Sequence, residues 1–263
     1  MEILSFDIAG KFAHFRKFHG NNTAMSYSIP PRTTIIGILA ALLGEEKDEY
    51  YQKYRAENIK VGVRVLKDIK KSFHRLNFLK ITSKDDFTGR SGRIQTPFEV
   101  ITGNNLKEDL VKYRIYLAPG EDDELYLSLK EQLLSGNRHY NISLGIAGFS
   151  ASISNVKSFN VDSVFIEDEW IEIHSACNSE QVSKIDFPEE PEIKFNHIEE
   201  ELLPADFIGG EKGRELYRMN RVLFSTRPFP VHVKLSGDYY PLKREEDEIE
   251  NIQFLEYAGV FSQ

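Results

Sequence analysis

Phe6-Asp7-Ile8-Ala9-Gly10-Lys11-Phe12-Ala13-His14-Phe15-Arg16-Lys17 is followed by Ser26-Tyr27-Ser28-Ile29-Pro30-Pro31-Arg32-Thr33-Thr34 and by an apolar run from Ile35 to Leu43 that Gly44 closes. This reads as a strand, a basic and aromatic loop, and a helix. Leu4, Phe6 and Ile8 alternate with Ser5 and Asp7, the two-residue period of a strand with one buried face. Pro30 and Pro31 stiffen the approach to the helix, Thr33 or Thr34 is placed to cap it, and Gly44 suits a left-handed stop. Unpaired amides at a helix start attract anions, and arginine holds phosphate through two parallel hydrogen bonds. Arg32, Thr33 and Thr34 are therefore candidate anion-binding residues. Lys11, His14, Arg16, Lys17 and Tyr27 add charge and stacking surface at the same strand end, a mixture that suits single-stranded RNA. Phe12 and Phe15 are expected in the core.

Outward from this block, strands are expected at 59–66, with Ile59, Val61, Val63 and Val65 on one face, at 113–118 and at 149–158. A second helical piece is expected near 46–56. Helix 122–135 has Asp122 or Asp123 as cap, Leu125, Leu129 and Leu133 as an apolar stripe, and Gly136 as terminator. The order β-α-β-β-α-β predicts an α+β fold of ferredoxin-like topology, which RNA-recognition motifs share. Residues 67–112 are too many for a plain loop, so a β-hairpin is expected there, with strands near 73–82 and 94–101 and a polar tip at 85–93. It would carry Lys70, Lys71, His74, Arg75, Lys80, Lys84, Arg90 and Arg93. Beyond residue 160, short apolar runs such as Val164-Phe165-Ile166 alternate with turns. They predict a small β-rich region at 161–263 beside a first domain at 1–160.

The 263 residues are 41% hydrophobic, enough for an ordinary core. A single cysteine, Cys177, excludes an internal disulfide and a cysteine-based zinc site, and it suits a reducing compartment. The longest apolar run falls far short of the ~20 residues that cross a bilayer, and Met1-Glu2 lacks a basic leader, so the expected location is the cytoplasm. No cofactor, metal or membrane contact is expected. Net charge is −8, yet residues 1–112 hold 19 Lys and Arg against 13 Asp and Glu, while residues 113–263 hold 14 against 28. On this pattern the two halves face different partners, and runs such as Glu199-Glu200-Glu201 are solvated faces.

The N-terminal blocks resemble the opening of CRISPR-associated protein Cas-five, a RAMP-superfamily subunit of Cascade interference complexes, and look closest to its type I-B subgroup. Gln95-Thr96-Pro97-Phe98-Glu99, Tyr113-Arg114-Ile115-Tyr116-Leu117 and Ser143-Leu144-Gly145-Ile146-Ala147-Gly148-Phe149 fit the same family in order, so the resemblance spans roughly the first 155 residues. It implies a thumb-like hairpin over the guide RNA, which would place His74, Arg75, Arg90 and Arg93 among the RNA contacts. It also implies a cap on the 5′ handle of CRISPR RNA, backbone and large Cascade subunits as partners, and target DNA met only indirectly. A glycine-rich segment of such proteins approaches the RNA backbone, which makes Gly145 and Gly148 candidates; a bend into the last strand explains them as well. Gly209-Gly210-Glu211-Lys212-Gly213-Arg214 reads as a flexible basic loop.

Type I-C members of the family cut precursor guide RNA, and a metal-free ribonuclease needs a base and an acid. Tyr27, His74, Arg138, His139 and Tyr140 are of the right kind, each with an ordinary structural alternative. The type I-B likeness implies a separate nuclease. A non-catalytic RNA-binding subunit is therefore expected, with the endoribonuclease and a purely structural adaptor as alternatives.

Overall fold

The computed structural model describes residues 1–18, 23–79, 81, 83–89, 92–187, 197–210, 213–244 and 248–255. Strand β1 (Glu2–Gly10) leads into a short ribbon of β2 (Phe15–Arg16) and β3 (Ser26–Tyr27), then helix α1 (Arg32–Leu43) and β4 (Ile59–Val65). A long ribbon of β5 (Ile69–Leu79) and β6 (Arg93–Gly103) precedes β7 (Val111–Pro119), α2 (Asp123–Ser135) and β8 (Ala151–Asn160). The remainder is strand: β9 (Val164–Ile173), β10 (Cys177–Asn178), β11 (Val182–Ile185), β12 (Ile198–Gly210), β13 (Gly213–Ser225), β14 (Val231–Lys243) and β15 (Ile249–Ile252). With two α-helices among the described residues, the chain is α+β and strand-rich.

The central sheet runs β4-β7-β1-β8 with every neighbouring pair antiparallel. Its helix-facing side is apolar, because Leu4, Phe6 and Ile8 of β1 meet Ile35, Leu39 and Leu42 of α1 and Leu125, Leu129 and Leu133 of α2. Full burial of each such side chain contributes about 1.5–3 kcal/mol. The Asp122 carboxylate caps α2 by accepting from the Leu125 amide at 2.9 Å. Neither threonine caps α1: Pro31 occupies the cap position, and Thr33 donates instead to the Pro204 carbonyl at 3.5 Å. The stretch 46–56 forms turns, not helix, and Asp48 takes φ 67°, a conformation that a right-handed helix does not admit.

The other side of the sheet is covered too, by the last of the described strands. Strand β14 is flanked by β11 and β9 and pairs at its far end with β15. Leu242, Ile252 and Phe254 pack on Ile3, Tyr116 and Ala118. Beside this apolar patch lies a layer of charge. Asp7 accepts from Arg114 Nε at 2.7 Å and Asn155 Nδ2 at 2.8 Å, and it pairs with Lys112 at 3.0 Å. Glu250 of β15, fully buried, pairs with Arg114 at 3.3 Å, with Arg244 at 3.0 Å and with Arg64. Burial pushes both carboxyls up, but Arg114 and Asn155 around Asp7, and Arg64 and Arg114 around Glu250, outweigh it and hold both below the ordinary carboxylate range.

Strand β12 repeats this pattern beside α1. Glu201 pairs with Lys17 at 2.5 Å, Glu199 with Lys71 at 3.8 Å, and Asp206 with Arg32 at 2.5 Å. The basic and acidic halves thus face each other rather than different partners, which corrects the reading of the charge split. Glu199 and Glu201 are inter-element ties, not solvated ornament.

Ribbon β5–β6 pairs in continuous register from Ile69↔Gly103 to Leu79↔Arg93. It is joined to the body at its base, where β6 bridges to Ala13 and Ala24.

Candidate nucleic-acid interface

A cleft of about 610 Å³ runs along the solvent side of α1. Its floor is one helical stripe, Thr34, Gly37, Ile38 and Ala41, spaced at three and four residues. Small side chains at 34, 37 and 41 keep it open. One wall is the loop Asn141–Ile146, which brings Ser143 and Gly145; the other comes from β12 and β13, with Pro204, Phe207 and Arg214, beside Tyr50. Arg16 of β2 lines the same cleft and is exposed. Two guanidinium groups with hydroxyls of Thr33, Thr34 and Ser143 form a donor-rich groove with aromatic surface, the chemistry that holds a single-stranded phosphate backbone.

Of the residues singled out in the sequence, this cleft gathers His14, Arg16, Thr33, Thr34 and Gly145. It does not gather Arg32. That side chain is 1% exposed, with its guanidinium held by Asp206 and by the carbonyls of Tyr54 and Ile59, both at 2.9 Å. Arg32 therefore ties α1 to the start of β4 and to β12, which overturns its assignment as a surface anion ligand. Burial pushes the Asp206 carboxyl up, against the charges of Arg32 and Arg218.

His14 is buried, stacked on Phe98 with ring centroids 4.0 Å apart, and its Nδ1 donates to the Glu99 carbonyl at 2.7 Å. Burial lowers its pKa, so the ring is neutral at neutral pH. Tyr27 is buried beneath Lys17, whose ammonium lies 5.2 Å from the ring centre, and burial with the nearby Glu201 charge pushes its hydroxyl up to about 12. Lys11 donates to the Asp109 carbonyl at 3.1 Å, away from the cleft. His74, Arg75 and Arg93 are exposed on the ribbon; Arg90 lies outside the described residues. Gly145 has φ 94°, and a Cβ there would stand 1.9 Å from the His14 carbonyl oxygen, so the wall loop can seat against the strand end only with glycine. A Cβ on Gly148 would meet nothing within 4 Å. Phe15 is buried as expected, but Phe12 is 37% exposed.

Arg214 was missed. Its loop looked only flexible in sequence, whereas β13 begins at Gly213 and aims the guanidinium over the Phe207 ring at 5.0 Å. A basic residue directly after Gly213 in a strand-rich region was the available signal. Among the described residues no group of three or more His, Cys, Asp or Glu could hold a metal ion, and no helix is long and apolar enough to cross a membrane.

A family model described as CRISPR-associated protein (Cas_Cas5) matches residues 3–140, just over half of the chain. The chain belongs to this Cas-five family. The matched span contains β1, α1, the ribbon and α2, and so the floor of the cleft with Arg16, while both walls lie beyond it. A CRISPR protein from Archaeoglobus fulgidus shares the fold at a TM-score of 0.55 and 14% identity, over 95% of this chain and 99% of that one. A chain from a CRISPR RNA-guided surveillance complex aligns over 88% of this chain and 90% of that one, at 12% identity and a TM-score of 0.49. No curated protein matches this Cas-five chain.

Proposed function

We propose that this Cas-five protein is a non-catalytic, guide-RNA-binding subunit of a CRISPR effector complex, and that it caps the repeat-derived 5′ handle. The observation that carries this is the cleft, where Arg16 and Arg214 flank a hydroxyl-lined groove along α1 in a chain whose total charge is negative. Both guanidinium-bearing residues are exposed and stand where a phosphate backbone fits. Family membership and the N-terminal motifs favour a type I, I-B-like Cascade with backbone and large subunits as neighbours. We read the antiparallel sheet order β4-β7-β1-β8 with its two helices as a ferredoxin-like RAMP domain at 1–160, with the ribbon inserted and the strands of 161–263 folded back on it.

Because β14 and β15 cover the sheet face opposite the helices, RNA on this protein lies at the helix and ribbon side, not on the open sheet that an RNA-recognition motif offers. Titrating the purified protein with single-stranded RNA carrying the handle, at several salt concentrations, tests the proposal. Log K should fall with log salt by about 0.7 per phosphate engaged. Salt-independent binding, or equal affinity for RNA without the handle in the assembled complex, would sink it.

A further inference from the structure

We infer that Arg214 is a stacking platform for one unpaired nucleobase of the strand in the cleft, with its guanidinium held between the Phe207 ring beneath and the base above. This deepens, and rests on, the proposed binding of a guide-RNA handle along α1. It gives the two arginines of the cleft different work. Arg16 meets the backbone by charge alone, whereas Arg214 also recognises that a base is present.

The register of β12 and β13 sets up the platform. Phe207 faces Leu216 and Gly209 faces Arg214, so Arg214 stands two residues from the partner of Phe207, on the same face of the hairpin. Opposite Arg214 the chain has no side chain, and a Cβ on Gly209 would meet nothing within 4 Å. The arginine therefore has room to lean diagonally, which brings its guanidinium carbon 5.0 Å from the centre of the Phe207 ring. Phe207 is in turn fixed edge-to-face on buried Tyr51, with 5.9 Å between centroids and 71° between planes. A flexible side chain is thus ordered before any ligand arrives, which lowers the entropy that binding must oppose.

Such a guanidinium offers more than charge. Its plane stacks on aromatic rings, while its N–H groups point outward from the rim. Arg214 is exposed and lines the cleft, so the face turned away from Phe207 is left for a ligand. Unpaired bases are held by this kind of stack, and every base has a face to offer. The two walls of the cleft differ in the same sense. The wall loop supplies the Ser143 hydroxyl and the bare backbone of Gly145, small groups that suit sugar and phosphate, whereas the β12–β13 wall supplies Phe207 and Arg214. A single strand lying along the α1 floor thus turns its backbone to the loop and its bases to the hairpin.

The test uses the full chain and a fluorescein-labelled single-stranded RNA carrying the handle, in a series in which one abasic ribose is moved along the strand. With the unchanged protein, a gap at one position should weaken binding about fivefold, the lower end of what one base–aromatic stack contributes. Arg214→Lys keeps the charge and removes the planar group. It should bind intact RNA about fivefold more weakly, hold the salt slope, and lose its sensitivity to that gap. Phe207→Leu removes the ring beneath the guanidinium and neither charge, and it should show the same signature; circular dichroism melting confirms that each variant is folded. A flat profile from an unchanged protein that binds intact RNA overturns the platform and leaves the cleft standing. Equal losses by Arg214→Lys on intact and on gapped RNA overturn it too, since they make Arg214 a phosphate contact only. A sensitive position that persists in Arg214→Lys and vanishes in Phe18→Leu overturns it in favour of Phe18, a cleft-lining ring that is 49% exposed. An unchanged protein that binds no handle RNA defeats the cleft, and the platform with it.

Discussion

The cleft along α1 and the charged layer beneath the central sheet are built from the same residue types, with opposite outcomes. Arg16 and Arg214 line an open groove; Arg32, Arg64 and Arg114 are enclosed with Asp206 and Glu250. The difference teaches that basic residues of the N-terminal half acquire their roles from the C-terminal half. Where β12 or β15 supplies a carboxylate, a cation becomes structural, and where none arrives it remains available to a ligand.

The strongest way to break this contrast is Glu250→Ala, which leaves Arg64, Arg114 and Arg244 facing a void. Removing one partner of a buried ion pair costs about 3–5 kcal/mol, so urea unfolding should show a loss of that order. A loss below 1 kcal/mol would mean water reaches the layer. Arg32→Ala should behave alike, at about 3 kcal/mol, because it orphans the buried Asp206. RNA affinity measured on the protein that remains folded should barely change, and a selective loss of RNA binding would return Arg32 to the interface.

The opposite signature is expected from Arg16→Ala and Arg214→Ala. Each should keep stability within about 0.5 kcal/mol, weaken RNA binding about tenfold, and flatten the salt dependence by about 0.7. Acid titration sharpens the contrast further. Asp7 and Glu250 have folded-state pKa values below their ordinary ones, 3.8 and 4.5, so their contribution is complete above those values and is lost as pH falls through the folded ones. The stability gap between unchanged protein and Glu250→Gln should therefore narrow below about pH 4.5; a gap constant down to pH 2 would contradict the linkage. The smallest effect is expected from Glu201→Gln. It releases Lys17, and RNA affinity should rise two- to threefold, about 0.5 kcal/mol, as befits a partly exposed pair. Unchanged or weaker binding would separate Lys17 from the RNA path.

Much of the local structure was legible in the chain. The alternation Leu4-Phe6-Ile8, the stripe Leu125-Leu129-Leu133 and the glycine stops at 44 and 136 are periodicities that packing did not overrule. The helical piece at 46–56 was not, because one left-handed aspartate redirects the chain. Arg16, Thr33 and Thr34 could be read as candidates because the motif places them at one strand end. Arg32 deceived for a definite reason: whether an arginine at a helix start meets solvent or Asp206 depends on a strand more than 170 residues later, and neither composition nor period encodes that meeting. Arg214 was hidden by the same distance in sequence.

The separation of Glu250 from its partners, 186 residues after Arg64 and 136 after Arg114, also bears on how the protein comes into being. On the ribosome, β1, β4 and β7 emerge with Arg64 and Arg114 long before the carboxylate that completes their surroundings. The early sheet can collapse around its apolar side, but its other side stays wet and unsettled until β15 is made. Final locking is therefore a late, long-range event, of the kind that slows folding and leaves nascent chains dependent on the arrival of β15.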